Sequence, residues 1–147
     1  MNMSDNTILI TGGGSGIGRG LAESFHALQN QVIITGRRKT SLEETVAANP
    51  GMQFRVLGQD NPDAIRSFAA QMIVDYPKLN ALVNNAGVQR AEDLTRGVPA
   101  DAELMVTTNL LGPIRLTAAL LPFLITKPQA VILNVTSSLA FMCFGSA

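Results

Sequence analysis

The chain has 147 residues, 46% of them hydrophobic and 15% charged, a balance that describes a well-buried globular protein and excludes a disordered one. Lys plus Arg and Asp plus Glu number 11 each, and only Arg37-Arg38-Lys39 clusters, which leaves no electrostatic footprint for nucleic acid or an anionic membrane. The single cysteine, Cys143, excludes an internal disulfide framework and a CxxC site, and MNMSDNT lacks the basic and apolar segments of a signal peptide. The longest apolar stretch, Ala118 to Ile125, contains Pro122 and is too short to span a bilayer. A cytoplasmic location without a membrane partner is the expectation.

Strands and helices alternate along the chain. Thr7 to Thr11 reads as a buried strand, and Ile17 to Gln29 as a helix with Ile17, Leu21, Phe25 and Leu28 on one face. Val32 to Thr35 is a second strand, followed by a helix through Leu42, Val46 and Ala47 that stops before Pro50. Phe54 to Leu57 is a third strand. Asp60-Asn61-Pro62 opens a helix through Ile65, Phe68, Ala69, Met72 and Ile73 that ends at Tyr76-Pro77. Ala81 to Val83 is a fourth strand, a long helix runs from about Asp101 to Thr126, and Ala130 to Val135 is a fifth strand. Such alternation builds parallel βαβ crossovers, so residues 1–147 are expected to form one α/β domain around a doubly wound parallel sheet.

Between the first strand and the first helix stands Thr11-Gly-Gly-Gly-Ser-Gly-Ile-Gly18. A strand, a glycine turn and a helix start are the parts of a phosphate cradle, because the helix aims free N–H groups and its positive dipole end at an anion. The G-x-G-x-x-G spacing is absent, and Arg19-Gly20 stands where a P-loop needs Lys and Ser or Thr. The spacing that fits is G-x-x-x-G-x-G, on Gly12, Gly16 and Gly18 or on Gly14, Gly18 and Gly20, the first register being better because Gly12 directly follows the strand; a glycine turn without a ligand is the bland alternative.

In open α/β sheets ligands bind outside the carboxyl ends of the strands. Gly12 to Gly18, Gly36-Arg37-Arg38, Gln59-Asp60, Asn84 to Gly87 and Thr136-Ser137-Ser138 all follow strands and share that rim. His26, Tyr76, Lys78 and Lys127 lie near helix ends on the opposite one. A serine hydrolase is excluded, since the only histidine is on the wrong rim for a serine there. No Cys/His/carboxylate cluster suggests a metal site.

Thr11-Gly12-x-x-x-Gly16-x-Gly18, Asn84-Asn85-Ala86-Gly87, Asn109 within NLLGPIRLT and Asn134-Val135-Thr136-Ser137 together resemble the short-chain dehydrogenase/reductase family. The resemblance covers essentially the whole chain. It implies a Rossmann fold and NAD(P)-dependent oxidation of alcohols or reduction of carbonyls, with a small-molecule alcohol or carbonyl substrate. It also implies that Gly12, Ser15, Gly16, Ile17 and Gly18 line the cofactor phosphates and ribose. Asp60 would meet the adenine, and Asn85, Ala86 and Gly87 would line the nucleotide side of the cleft. Ser137 matches the family's substrate-polarising serine, with Ser138 next door as the alternative register. Asn109 matches an asparagine that holds a water in a proton relay. Pro113, four residues on, has no N–H for the Asn109 carbonyl, so the helix ladder should break there; a proline kink that fits helix to sheet is the plain alternative.

The cofactor choice has its own physical basis. An acid about 20 residues after the glycine loop would select NAD, but the second strand ends in Thr35-Gly36-Arg37-Arg38. A guanidinium pairs with a 2′-phosphate that a carboxylate would repel, which favours NADP, with Arg37 the first contact and Arg38 or Lys39 assisting. A solvated basic turn is the alternative.

The family's Tyr-x-x-x-Lys, whose phenol is the general acid/base, is absent from the 147 residues: the sole tyrosine, Tyr76, is followed four residues later by Asn80. Pro128 to Ala147 carries no charge and Leu139 to Phe144 is apolar, which reads as a chain truncated after the fifth strand. By resemblance, a further helix would pack beside the Asp101 to Thr126 helix and join it in a homo-oligomer interface. The functional expectation is a short-chain reductase whose catalytic end lies outside this chain. A non-catalytic NADP-binding module and a vestigial product are the alternatives.

Overall fold

The computed structural model describes residues 2–90 and 100–137. Ser138, Cys143 and the apolar Leu139 to Phe144 run lie outside them. Five strands, β1 (Thr7–Thr11), β2 (Gln31–Gly36), β3 (Gln53–Val56), β4 (Leu79–Asn84) and β5 (Val131–Asn134), form one parallel sheet in the order β3-β2-β1-β4-β5. The helices are α1 (Gly16–Ala27), α2 (Lys39–Ala48), α3 (Pro62–Asp75), α4 (Ala100–Val106) and α5 (Gly112–Leu124). The sheet order reverses between β1 and β4, which creates the crevice that doubly wound folds use for ligands.

The central strands β1, β2 and β4 are mainly apolar because both sheet faces are covered there, and their side chains alternate between two cores. Leu9, Ile33 and Leu82 point to one face, where Ile65, Met72, Leu116, Leu120 and Leu124 of α3 and α5 bury against them. Ile8, Ile10, Val32, Ile34, Ala81 and Val83 point to the other, under Ala22 of α1 and Leu42 of α2. The edge strands β3 and β5 are the exposed ones.

Local chemistry sets the boundaries. Asn61 caps α3, its Oδ1 accepting the N–H groups of Asp63 at 2.9 Å and Ala64 at 3.1 Å, with Pro62 in the first turn. Helix α1 stops at Ala27, short of the Gln29 expected from periodicity, because Gln29 adopts a left-handed φ of 64°. The expected single helix over residues 101–126 is interrupted: Thr107–Leu111 form a π turn between α4 and α5. There the Gly112 N–H reaches back to the Thr107 carbonyl, and Asn109 stands at the centre of the redrawn ladder. From Asp101 to Leu124 this helical run has 24 residues and a window of mean hydropathy 1.4, enough by length and composition to cross a bilayer. Leu116, Leu120 and Leu124, at 1% exposure or less, make one face of it a core face.

The rim opposite the crevice is tied together by side chains. Asn30 Oδ1 accepts the Asn6 N–H at 2.9 Å, and Asn80 Oδ1 accepts the Thr7 N–H at 3.0 Å. Tyr76 donates to Gln53 Oε1 at 2.6 Å, joining the end of α3 to β3. Burial holds the Tyr76 phenol above its ordinary value, Arg55 opposing and Asp75 adding to the shift. Burial favours the neutral phenol in the fold, so this stabilisation is complete below the ordinary phenol pKa and is lost as pH rises through the raised one. As Tyr76 is the sole tyrosine, an alkaline ultraviolet titration should show one phenolate transition above that of free tyrosine, collapsing to the ordinary value in denaturant.

Candidate cofactor-binding site

Thr11, the last residue of β1, organises the crevice. Its hydroxyl accepts the N–H groups of Asn85 and Ala86, both at 2.9 Å, and donates to the Val83 carbonyl at 3.3 Å. Asn85 returns the link, its amide donating to the Thr11 carbonyl at 3.0 Å. The glycine loop after β1 and the loop after β4 are thus fixed against each other. Gly12 has φ of 70° and lies so close to Ala86 that a Cβ would stand 2.9 Å from its Cα, so no side chain fits there. The approach of Gly18 is closer still: a Cβ would overlap the Asn85 amide and the Gly12 carbonyl.

These loops open a pocket of about 620 Å³ at the β1/β4 switch point. It brings together Gly12, Ser15, Ile17, Gly18, Arg37, Arg38, Asn85, Ala86 and Gly87 of the residues expected from sequence. Arg38 Nη2 donates to Ser15 Oγ at 3.3 Å, bridging the turn after β2 to the glycine loop. Gly16 starts α1 with φ of 54° and does not line the pocket, and Asp60 is exposed outside it. Gln59 lines it instead, with Leu42, Leu57, Val88 and Thr108. These extra wall residues carry no motif; position after a strand is the only signal that pointed to Gln59.

A second groove of about 510 Å³ lies beside the first, between the ends of β4 and β5 and helix α5. Asn109 lines it with Asn84, Pro113, Thr117, Asn134 and Thr136, and the exposed Ser137 follows directly. Of the two candidate catalytic residues, Asn109 lines this groove and Ser137 is the next residue after its wall; neither lines the first pocket. Asn109 sits at the divide, exchanging two hydrogen bonds with the Val88 backbone: Oδ1 accepts the Val88 N–H and Nδ2 donates to its carbonyl, both at 2.8 Å. The side chain is thus used to hold the loop after β4. Asn109→Ala should cost about 1–2 kcal/mol at this exposed pair. It should also speed hydrogen exchange at the Val88 amide, while Asn109→Asp, which keeps only the acceptor, falls between.

The pocket fits a dinucleotide on three counts. A glycine-walled cradle that a Cβ would fill meets the start of α1, whose free N–H groups suit a phosphate. Two guanidinium groups border it, and the buried Gln59 amide beside it has no partner among the described residues.

Comparison with known proteins agrees. Residues 6–146 match the family model described as short chain dehydrogenase. The chain is 40% identical over 149 residues to the uncharacterized oxidoreductase DltE of Bacillus subtilis (strain 168), covering 96% of this chain and 57% of that protein. It is similar to a short-chain dehydrogenase structure from Streptomyces avermitilis, with TM-score 0.83, 32% identity, and coverage of 93% of this chain and 51% of that one. It also resembles a short chain dehydrogenase from Shigella flexneri 2a str. 301 complexed with NADP, with TM-score 0.86, 25% identity, and coverage of 94% and 61%. The chain spans between half and two thirds of the length of these relatives.

Proposed function

The chain belongs to the short chain dehydrogenase family, and we propose that residues 1–147 are the dinucleotide-binding domain of an NADP-dependent oxidoreductase acting on a small-molecule carbonyl or alcohol. One observation carries the reading: the turn that follows β2 puts Arg37 and Arg38 into the wall of the pocket that the glycine loop opens. NADP, when bound, supplies hydride donation or acceptance at its nicotinamide. The chain's own residues do the rest. The glycine loop and the start of α1 hold the pyrophosphate, Arg37 and Arg38 hold the 2′-phosphate, and Asn85 to Gly87 border the nucleotide side.

The second groove is proposed as the substrate side, with the Ser137 hydroxyl polarising the reacting oxygen and the Asn109 main-chain carbonyl holding a water. The Tyr76 phenol cannot serve as its acid or base, because it is bonded to Gln53 at the opposite rim. These residues by themselves are therefore proposed to bind cofactor without turnover. The exposed apolar stripe of Leu110, Ile114, Leu121 and Ile125 supports assembly with a second copy, and a cytoplasmic location accords with a soluble cofactor.

Titration with NADPH and NADH tests the proposal. The chain has no tryptophan, so the fluorescence of the reduced nicotinamide itself reads binding against a dark background. Saturable binding, tighter for NADPH, is expected. Absence of binding to either would overturn the reading.

A further inference from the structure

We propose that Ser41 is a phosphorylation site, and that its phosphoryl group, held by the arginines of the β2 turn, closes the pocket to NADP. This regulation acts on the proposed cofactor site and rests on the NADP-binding reading.

Ser41 follows Arg37-Arg38-Lys39-Thr40 and precedes Leu42. Arginine three residues before a hydroxyl, a second basic residue two before it and an apolar residue after it form a charge pattern that basophilic serine/threonine kinases read. Thr40 has similar charges upstream, but the two hydroxyls differ in place. Thr40 is exposed and outside the pocket, whereas Ser41 is half-buried and lines it. Ser41 also meets the glycine loop: a Cβ on Gly14 would stand 3.2 Å from Ser41 Cβ. A phosphoryl group on this side chain therefore enters the space between the glycine loop and the β2 turn.

The surroundings suit that anion. Ser41 is the third residue of α2, whose start has no side-chain cap and no acidic residue in its first turn. Of the cations Arg37, Arg38 and Lys39 just before it, only Lys39 has an ion pair among the described residues, with Glu43 at 3.3 Å. A helix start favours an anion, and a phosphoryl group facing an arginine cluster gains charge-assisted hydrogen bonds. The same guanidinium groups are assigned to the 2′-phosphate, so the two phosphates exclude each other. In the transfer the Ser41 O–H bond breaks and an Oγ–P bond forms. The γ-phosphoryl group leaves ATP, ADP departs, and the proton passes to the base of the kinase.

Treatment of the chain with magnesium, ATP and the catalytic subunit of cyclic-AMP-dependent protein kinase tests this, the phosphate being located by mass spectrometry. Phosphate is expected on Ser41 and not in Ser41→Ala. NADPH at about ten times its Kd should slow the incorporation about tenfold, because the filled pocket covers Ser41. The phosphorylated chain should bind NADPH at least about 30-fold more weakly than the parent. Its melting temperature should hold or rise, since the new charge lies in the first turn of a helix. Phosphate on Thr40 alone, no phosphate at all, incorporation that NADPH does not slow, or unchanged NADPH affinity in the phosphorylated chain would each overturn the proposal. So would a lowered melting temperature, which would make the lost binding an unfolding of α2. A parent chain that binds neither cofactor would bring down the NADP-binding reading, and the switch with it.

Discussion

Gly18→Ala is expected to abolish cofactor binding, lowering NADPH affinity by at least about 100-fold, or about 2.7 kcal/mol. The added methyl would overlap the Asn85 amide and the Gly12 carbonyl oxygen and come within 2.8 Å of the Gly12 carbonyl carbon. Two of these atoms are backbone of the glycine loop, which cannot give way without leaving β1. The third belongs to the side chain that links the loop to the segment after β4. Displacement here moves both walls of the pocket at once. Overpacking should also cost about 1–3 kcal/mol of stability, so binding must be measured well below the melting transition. Gly20→Ala is the control on the same helix. A Cβ there meets nothing within 4 Å, and alanine in a helix interior should add about 0.5–1 kcal/mol of stability with NADPH binding unchanged. NADPH bound as well by Gly18→Ala as by the parent would place the cofactor elsewhere.

The contrast between these two glycines marks what sequence reading could reach. Spacing after an apolar run identified the glycine loop, because a tight turn between strand and helix is a local requirement that residue type reveals. The strands and their parallel direction followed from alternation, with Pro50 and Pro77 marking helix ends and Pro62 a helix start. What spacing left undecided was which glycines meet something. Gly16 was grouped with Gly12 and Gly18, yet nothing stands within 4 Å of where its Cβ would be. Strand ends moved by one or two residues: β3 starts at Gln53 instead of Phe54, and β4 extends from Leu79 to Asn84 around the expected Ala81 to Val83. Hydrogen-bond register with neighbours sets those ends, and a single strand's hydropathy does not contain it.

The site residues divide in the same way. Pro113 gave notice of a broken ladder at Asn109, since a missing N–H is a property of one residue. The use of the Asn109 side chain was not legible, because its partner is the Val88 backbone, 21 positions away and brought near only by the sheet. Gln59 was placed on the ligand rim with Asp60 by position alone; its burial against Gly112 was not legible, because it exists only once α5 lies against the segment after β3.

Arg37→Asp is expected to reverse the cofactor preference. NADPH affinity should fall by about 30–100-fold, a loss of about 2–2.7 kcal/mol, because a guanidinium that pairs with the 2′-phosphate becomes a carboxylate that repels it. NADH lacks that phosphate and gains a hydrogen-bond acceptor for its ribose hydroxyls, so its affinity should hold or improve. The protein's formal net charge is zero, so no global field masks the local change. Salt supplies an internal check: the parent's NADPH affinity should weaken as ionic strength rises, and the variant should lose most of that dependence. Arg38 divides the task differently. Its hydrogen bond to Ser15 Oγ spans the mouth between the β2 turn and the glycine loop, so Arg38→Ala should loosen the cradle as well as remove a charge. A loss for both cofactors, larger for NADPH, is the expected signature of that double role. Should Arg37→Asp leave NADPH binding intact while Arg38→Ala lowers it selectively, the 2′-phosphate contact belongs to Arg38 and the turn presents its second arginine to the ligand. NADPH affinity unmoved by either change would remove the 2′-phosphate from this turn altogether, and NADP specificity with it.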